Sequence, residues 1–176
     1  IGQNVHGSAA EENVASGERP TPLDNGKQTK SETRIWVNIL RAEGILAADK
    51  GGTSDAYATA ELVESATGKP IKPARKTKTK TIKKTLAPEW NEEVVEWGNI
   101  SQDASGLSVK VTVFDADMMS SETLGGVTIP LAALDEVSME VSYPLENVGK
   151  MKVAATGTIT VKLSILISDT VQPARN

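Results

Sequence analysis

The 176-residue sequence predicts an all-β fold, an eight-stranded antiparallel β-sandwich. Eight short runs of alternating apolar and polar residues recur at fairly regular spacing between residues 34 and 167. Gly-Gly, Thr-Gly-Lys-Pro, Ala-Pro and Ser-Gly turn signals separate them, and no stretch of helical length has a clear 3.6-residue period.

Order is expected to begin at Arg34, where Ile35, Val37 and Ile39 alternate with Trp36, Asn38 and Leu40. The following runs are 57–63, 75–82, 93–97 and 107–115, the last with Leu107, Val109, Val111 and Val113 on one face. Runs 126–131, 140–145 and 158–167 complete the set, with a short helical turn expected at 131–134. The final run sets Ile159, Val161, Leu163 and Ile165 against Thr160, Lys162 and Ser164. Residues 1–33 hold only scattered apolar residues, too few to offset chain entropy, and read as a disordered linker. The domain is then 34–168, with a tail at 169–176. A chain starting at Ile1 is read as a segment of a longer protein, or a processed one.

Composition narrows the chemistry. With no Cys there is no disulfide, thiolate nucleophile or Cys-ligated zinc, and the single His6 lies in the linker. Ser-His-Asp catalysis and multi-His metal sites are excluded on the same ground. No secretory or membrane-spanning run is present, so a cytoplasmic location is expected. The net charge of −4 hides an asymmetry. Eight basic and no acidic residues lie between Lys69 and Lys84, which leaves 11 basic against 23 acidic elsewhere. Such a stripe suits an anionic partner, or it is an edge strand protected by lysines. No aromatics interleave with the lysines, so nucleic-acid binding is not expected.

Two acidic loops carry the remaining signal. Asp49 and Asp55 flank Gly51-Gly52, and Asp115 and Asp117 leave a strand end on the same side. Clustered carboxylates and backbone carbonyls are what calcium requires, although Asp beside Gly is also ordinary turn chemistry. Met118 and Met119 follow at a loop tip, where exposed methionines suit insertion among lipid tails, although Met118 reads equally as ordinary surface or partial packing.

Taken in order, these pieces resemble a C2 domain across about 34–168. The run 35–40 leads into Ala42-Glu-Gly-Ile-Leu46 and Asp49-Lys-Gly-Gly-Thr-Ser-Asp55-Ala-Tyr57. Lys76-Thr-Lys-Thr-Lys-Thr-Ile82, Thr85-Leu-Ala-Pro-Glu-Trp-Asn-Glu92, Asp115-Ala-Asp117 and Leu124-Gly125 follow. The first loop is similar to that of synaptotagmins, and the basic strand resembles that of conventional protein kinases C. The resemblance implies calcium as cofactor, held by Asp49, Asp55, Asp115 and Asp117 with backbone carbonyls near Ala48 and Ala116. Glu122 or the Thr123 position would supply a fifth ligand, and Ser120 another oxygen. It also implies docking onto anionic phospholipid, phosphatidylserine included, with Lys50, Met118 and Met119 at the loop tips. Tyr57, Lys78 and Lys80 match positions that bind phosphatidylinositol bisphosphate, and Lys76 shares their face. The permuted topology, with the synaptotagmin first strand moved to the C-terminus, is favoured because a strand closes the chain. The expected function is calcium-dependent targeting of a parent protein to the cytosolic face of membranes by a monomeric, non-enzymatic domain. The alternative is a calcium-independent scaffold that binds phosphoinositide or protein.

Overall fold

The computed structural model describes residues 29–171, apart from 73, 92–93, 101–102, 119 and 135–138. Most of the segment expected to be a linker, and residues 172–176 of the tail, lie outside the described residues. The strands are β1 (Thr29–Glu43), β2 (Ser54–Glu64), β3 (Thr77–Lys78), β4 (Ile82–Thr85) and β5 (Val95–Ile100). They continue with β6 (Leu107–Ala116), β7 (Ser121–Pro130), β8 (Met139–Pro144) and β9 (Thr158–Val171).

Two antiparallel sheets face each other. One has the order β5-β1-β9-β8; the other has β3-β2-β6-β7, with β4 also paired to β2. The closing strand β9 lies between β1 and β8, the place that the permuted topology assigns it. Strand alternation builds the core directly. Ile35, Val37 and Ile39 of β1 and Ile159, Val161, Leu163 and Ile165 of β9 are buried against the other sheet. That sheet contributes Ala56, Ala58, Ala60 and Leu62 of β2 and Leu107, Val109, Val111 and Val113 of β6. Trp90, in the turn after β4, is buried, with its indole N–H directed at the Ala56 carbonyl 3.4 Å away.

Several boundaries differ from the sequence pattern. The run expected at 75–82 divides into β3 and β4, because Thr79 turns inward. Its Oγ1 accepts from the Ala58 amide at 2.9 Å and donates to the Lys80 carbonyl, replacing a regular ladder bond. β1 starts at Thr29 rather than Arg34, since Thr29–Thr33 pair with residues 167–171 of β9. β7 starts at Ser121 rather than Gly126, because Ser121, Glu122 and Thr123 pair with Ala116, Asp115 and Phe114. β5 is displaced to Val95–Ile100, and the helical turn is a 3₁₀ turn at Leu131–Ala133.

Pairing places several connections at one end of the sandwich. β1 ends where Glu43 meets Thr158, and β8 ends where Pro144 meets the same residue. β2 begins where Ala56 meets Asp115, near the turn from β6 into β7. Connections 44–53, 117–120 and 145–157 therefore share that end.

Candidate functional site

The 44–53 loop is folded back on itself. Ser54 Oγ donates to the Leu46 carbonyl at 2.8 Å and accepts from the Ala48 amide at 2.9 Å. The Asp49 amide donates to the Thr53 carbonyl, and Gly52, at φ +75°, donates to the Asp49 carbonyl at 3.0 Å. This carries Asp49 over the open end of the sandwich. Asp115 continues the inward row of Val109, Val111 and Val113, so its carboxylate emerges on the core side and is buried. Asp117 follows two residues on, in a turn closed by its amide donating to the Ser120 carbonyl at 3.1 Å.

Carboxylate oxygens of Asp49, Asp115 and Asp117 lie within 4.8 Å of one another. The Asp55 carboxylate stands beside this group rather than in it. The Asp55 amide donates to Asp115 Oδ1 at 2.6 Å, while its own Oδ1 accepts from the Lys84 amide at 2.8 Å. Burial pushes the Asp115 pKa above the ordinary carboxylate value; the Asp55 amide opposes this, and the charges of Asp49, Asp117 and Asp55 add to the rise. Among the described residues no Lys or Arg forms an ion pair with these acids. An all-oxygen donor set, crowded, partly buried and without a counter-ion, fits a hard divalent cation such as calcium.

Other expected residues fall around this centre. Glu122 is paired across the ladder with Asp115 but is exposed. With Thr123 it lines a cleft beside Ala47, Ala48 and Lys152, outside the three-carboxylate group. Ala48 has its amide tied to Ser54, Ala116 ends β6, and the Ser120 carbonyl holds the Asp117 turn. Lys50 is exposed, and Met118 stands wholly in solvent at 105% relative exposure. Met119 lies outside the described residues.

The basic strand forms the edge next to β2, where Lys78 pairs with Thr59. Its lysines rest on aromatic rings. Lys78 Nζ lies 3.8 Å from the Tyr57 ring centroid and Lys76 Nζ lies 5.9 Å from that of Phe114. The two rings stack at 5.2 Å, and the Tyr57 hydroxyl donates to Ser121 Oγ at 2.9 Å. Lys80 is exposed on the same edge. A shallow groove of about 170 Å³ adjoins, lined in part by Thr59, Glu61, Lys76, Lys110 and Phe114. Phe114 and Lys110 were not singled out from the sequence. The outward parity of β6 (Ser108, Lys110, Thr112, Phe114) was the available signal.

No helix among the described residues is long and apolar enough to cross a membrane. Residues 33–145 match the family model described as "C2 domain". Rabphilin-1 of Caenorhabditis elegans is 34% identical over 110 residues, which is 62% of this chain and 9% of that protein. The human Multiple C2 and transmembrane domain-containing protein 1 is 35% identical over 130 residues, covering 73% of this chain and 12% of that one. The chain thus spans about a tenth of the length of these curated relatives. Among solved structures, a C2 domain of plant Extended Synaptotagmin 1 superposes with a TM-score of 0.59 at 22% identity. That superposition covers 79% of this chain and 96% of the other. A β-sandwich with its last strand between the first and eighth, acidic loops at one end and a matching family model over most of its strands leave one assignment: the chain belongs to the C2 domain family.

Proposed function

We propose that this C2 domain binds anionic phospholipid membranes in a calcium-dependent way, through the end that carries loops 44–53 and 117–120. The observation that carries this reading is the convergence of Asp49 with Asp115 and Asp117 from two separate loops, beside the fully exposed Met118. Asp49, Asp115 and Asp117 would hold the ion; Asp55, whose Oδ1 accepts from the Lys84 amide beside them, would join as a further ligand. Calcium bound there supplies the positive charge that an acidic lipid surface needs to approach this end. Without it, the crowded carboxylates repel both one another and lipid phosphate. Met118, fully exposed, would enter the acyl boundary, and the exposed Lys50 would meet phosphate. Lys76, Lys78 and Lys80 provide a second, permanent contact suited to a phosphoinositide headgroup. The domain would recruit a longer parent protein to the cytosolic face of a membrane and is itself a binding module, not a catalyst.

Calorimetric calcium titration, with and without phosphatidylserine vesicles, tests the reading. Linkage is reciprocal, so calcium affinity must rise when vesicles are present. Equal affinities would refute the coupling. A second reading, a calcium-independent scaffold, rests on the Lys78–Tyr57 pair, which needs no metal. Vesicle sedimentation that is indifferent to chelator would favour it.

A further inference from the structure

The connection from β8 to β9, residues 145–157, lies at the same end as the acidic loops and is firmly built. The Glu146 carbonyl accepts from the Gly126 amide at 3.0 Å, and the Gly126 carbonyl accepts from the Glu146 amide at 2.9 Å. The Leu145 amide donates to the Gly157 carbonyl, and Thr156 Oγ1 donates to the Gly44 carbonyl at 2.9 Å. Asn147 Oδ1 accepts from the Ala155 amide at 2.7 Å and closes the loop between them. What projects is Lys150, Lys152 and Val153; Met151 is half-buried, its Sδ accepting from the Val148 amide at 3.4 Å. Lys152 and Val153 line the cleft that also holds Ala47, Ala48 and Glu122, so this loop stands against the first acidic loop.

Its composition is unlike that of its neighbours. From 147 to 156 there are two lysines and no acid. Neither lysine forms an ion pair among the described residues. Val153 is 61% exposed and, among the described residues, is one of few large apolar side chains left in solvent. Exposed Lys beside an exposed aliphatic residue is the pattern of a segment that meets anionic headgroups and the acyl boundary together.

We propose that residues 150–153 form a further membrane contact, with Lys150 and Lys152 on lipid phosphate and Val153 at the acyl boundary. This rests on the membrane reading of the acidic-loop end. The occupant is an anionic bilayer rather than a protein, because Lys152 and Val153 share a cleft with Ala47 and Ala48 of the first acidic loop, at the end that meets the bilayer, and the patch's charge is the opposite of the carboxylate cluster's. Its charge is permanent, so it acts whether or not a metal is held next to it.

The chain has no Cys, so a single nitroxide can be placed at will. Labels at Val153→Cys, at Met118→Cys and at Ala66→Cys, on the turn at the opposite end, are compared on phosphatidylserine vesicles with calcium. The Val153 label is expected to become shielded from a water-soluble nickel relaxant and accessible to oxygen, as at Met118, while the Ala66 label stays aqueous. The Lys150→Ala, Lys152→Ala double variant is expected to lose at least about tenfold in vesicle affinity, with calcium affinity in solution unchanged. A Val153 label that stays aqueous while the Met118 label is shielded overturns this contact and leaves the membrane reading standing. Unchanged affinity of the double variant overturns it too. Aqueous labels at both sites would sink both.

Discussion

The backbone amide of Asp55 donates to Asp115 Oδ1 at 2.6 Å, joining two acidic segments that lie 60 positions apart. The bond fixes the Asp115 carboxylate at the end of an otherwise apolar row. It also gives part of the compensation that a buried carboxylate needs.

That arrangement makes opposite predictions with and without metal. In chelator, burial and the neighbouring acids hold the Asp115 pKa above its ordinary value. The folded state then binds the proton more tightly than the unfolded chain does. Stability from this group is full below about pH 4 and is lost as pH rises through the folded value. Asp115→Asn should abolish this pH dependence and raise the chelated Tm at pH 7. In calcium at a hundredfold excess over Kd, the parent gains about 2.7 kcal/mol from binding, which the variant should lose. Scanning calorimetry in both buffers checks this, and a change of the same sign in both would contradict it.

Met118 has no packing role to lose, since it stands wholly in solvent. Met118→Ser should therefore leave Tm and calcium affinity in solution unchanged. Full burial of a Met side chain is worth about 1.5–3 kcal/mol, so affinity for phosphatidylserine vesicles should fall tenfold or more. Unaltered sedimentation would remove the insertion role.

How far these features were legible in the sequence depends on which residues specify them. The rows Leu107–Val109–Val111–Val113 and Ile159–Val161–Leu163–Ile165 alternate cleanly, and strand period alone places them in the core. Asp115 and Asp117 were legible as an extension of the first row. Thr79 was not, because an inward Thr that replaces a ladder acceptor looks like any member of a Lys-Thr alternation. Thr29–Thr33 were missed because polar residues in a paired ribbon show no apolar alternation. The position of 145–157 beside the first acidic loop depends on β9 entering between β1 and β8, a long-range fact with no local signature.

The stacked Tyr57–Phe114 pair holds Lys78 and Lys76 over its rings. A Lys76→Ala, Lys78→Ala variant should lose affinity for vesicles containing phosphatidylinositol bisphosphate by about fivefold per lysine. The calcium-dependent phosphatidylserine component should change less. Tyr57→Phe keeps the ring and deletes only the hydroxyl bond to Ser121. It should cost about 0.5–1.5 kcal/mol of stability and leave lipid affinity intact. Equal losses on both vesicle types would mean that the strand contributes general charge and no headgroup selectivity.

Two glycines of the β8–β9 connection separate backbone strain from packing. Gly149, at φ +64°, has open space where a Cβ would stand, whereas Gly157, at φ +86°, has the Glu43 carbonyl oxygen 2.1 Å and the Gly44 carbonyl carbon 2.5 Å from that position. Gly149→Ala should therefore cost only the left-handed penalty of about 1–2 kcal/mol. Gly157→Ala carries the same penalty plus an overpacking cost of about 1–3 kcal/mol, because the blocking atoms are backbone at the end of β1 and cannot rotate away. Urea denaturation of the two variants should rank Gly157→Ala clearly below Gly149→Ala. The displaced backbone of Gly157→Ala should also loosen the Thr156–Gly44 hydrogen bond that seats the loop on β1. Equal losses would mean that the close approach of the loop to β1 contributes nothing to stability, and that the loop is not held in the place from which Lys152 and Val153 project.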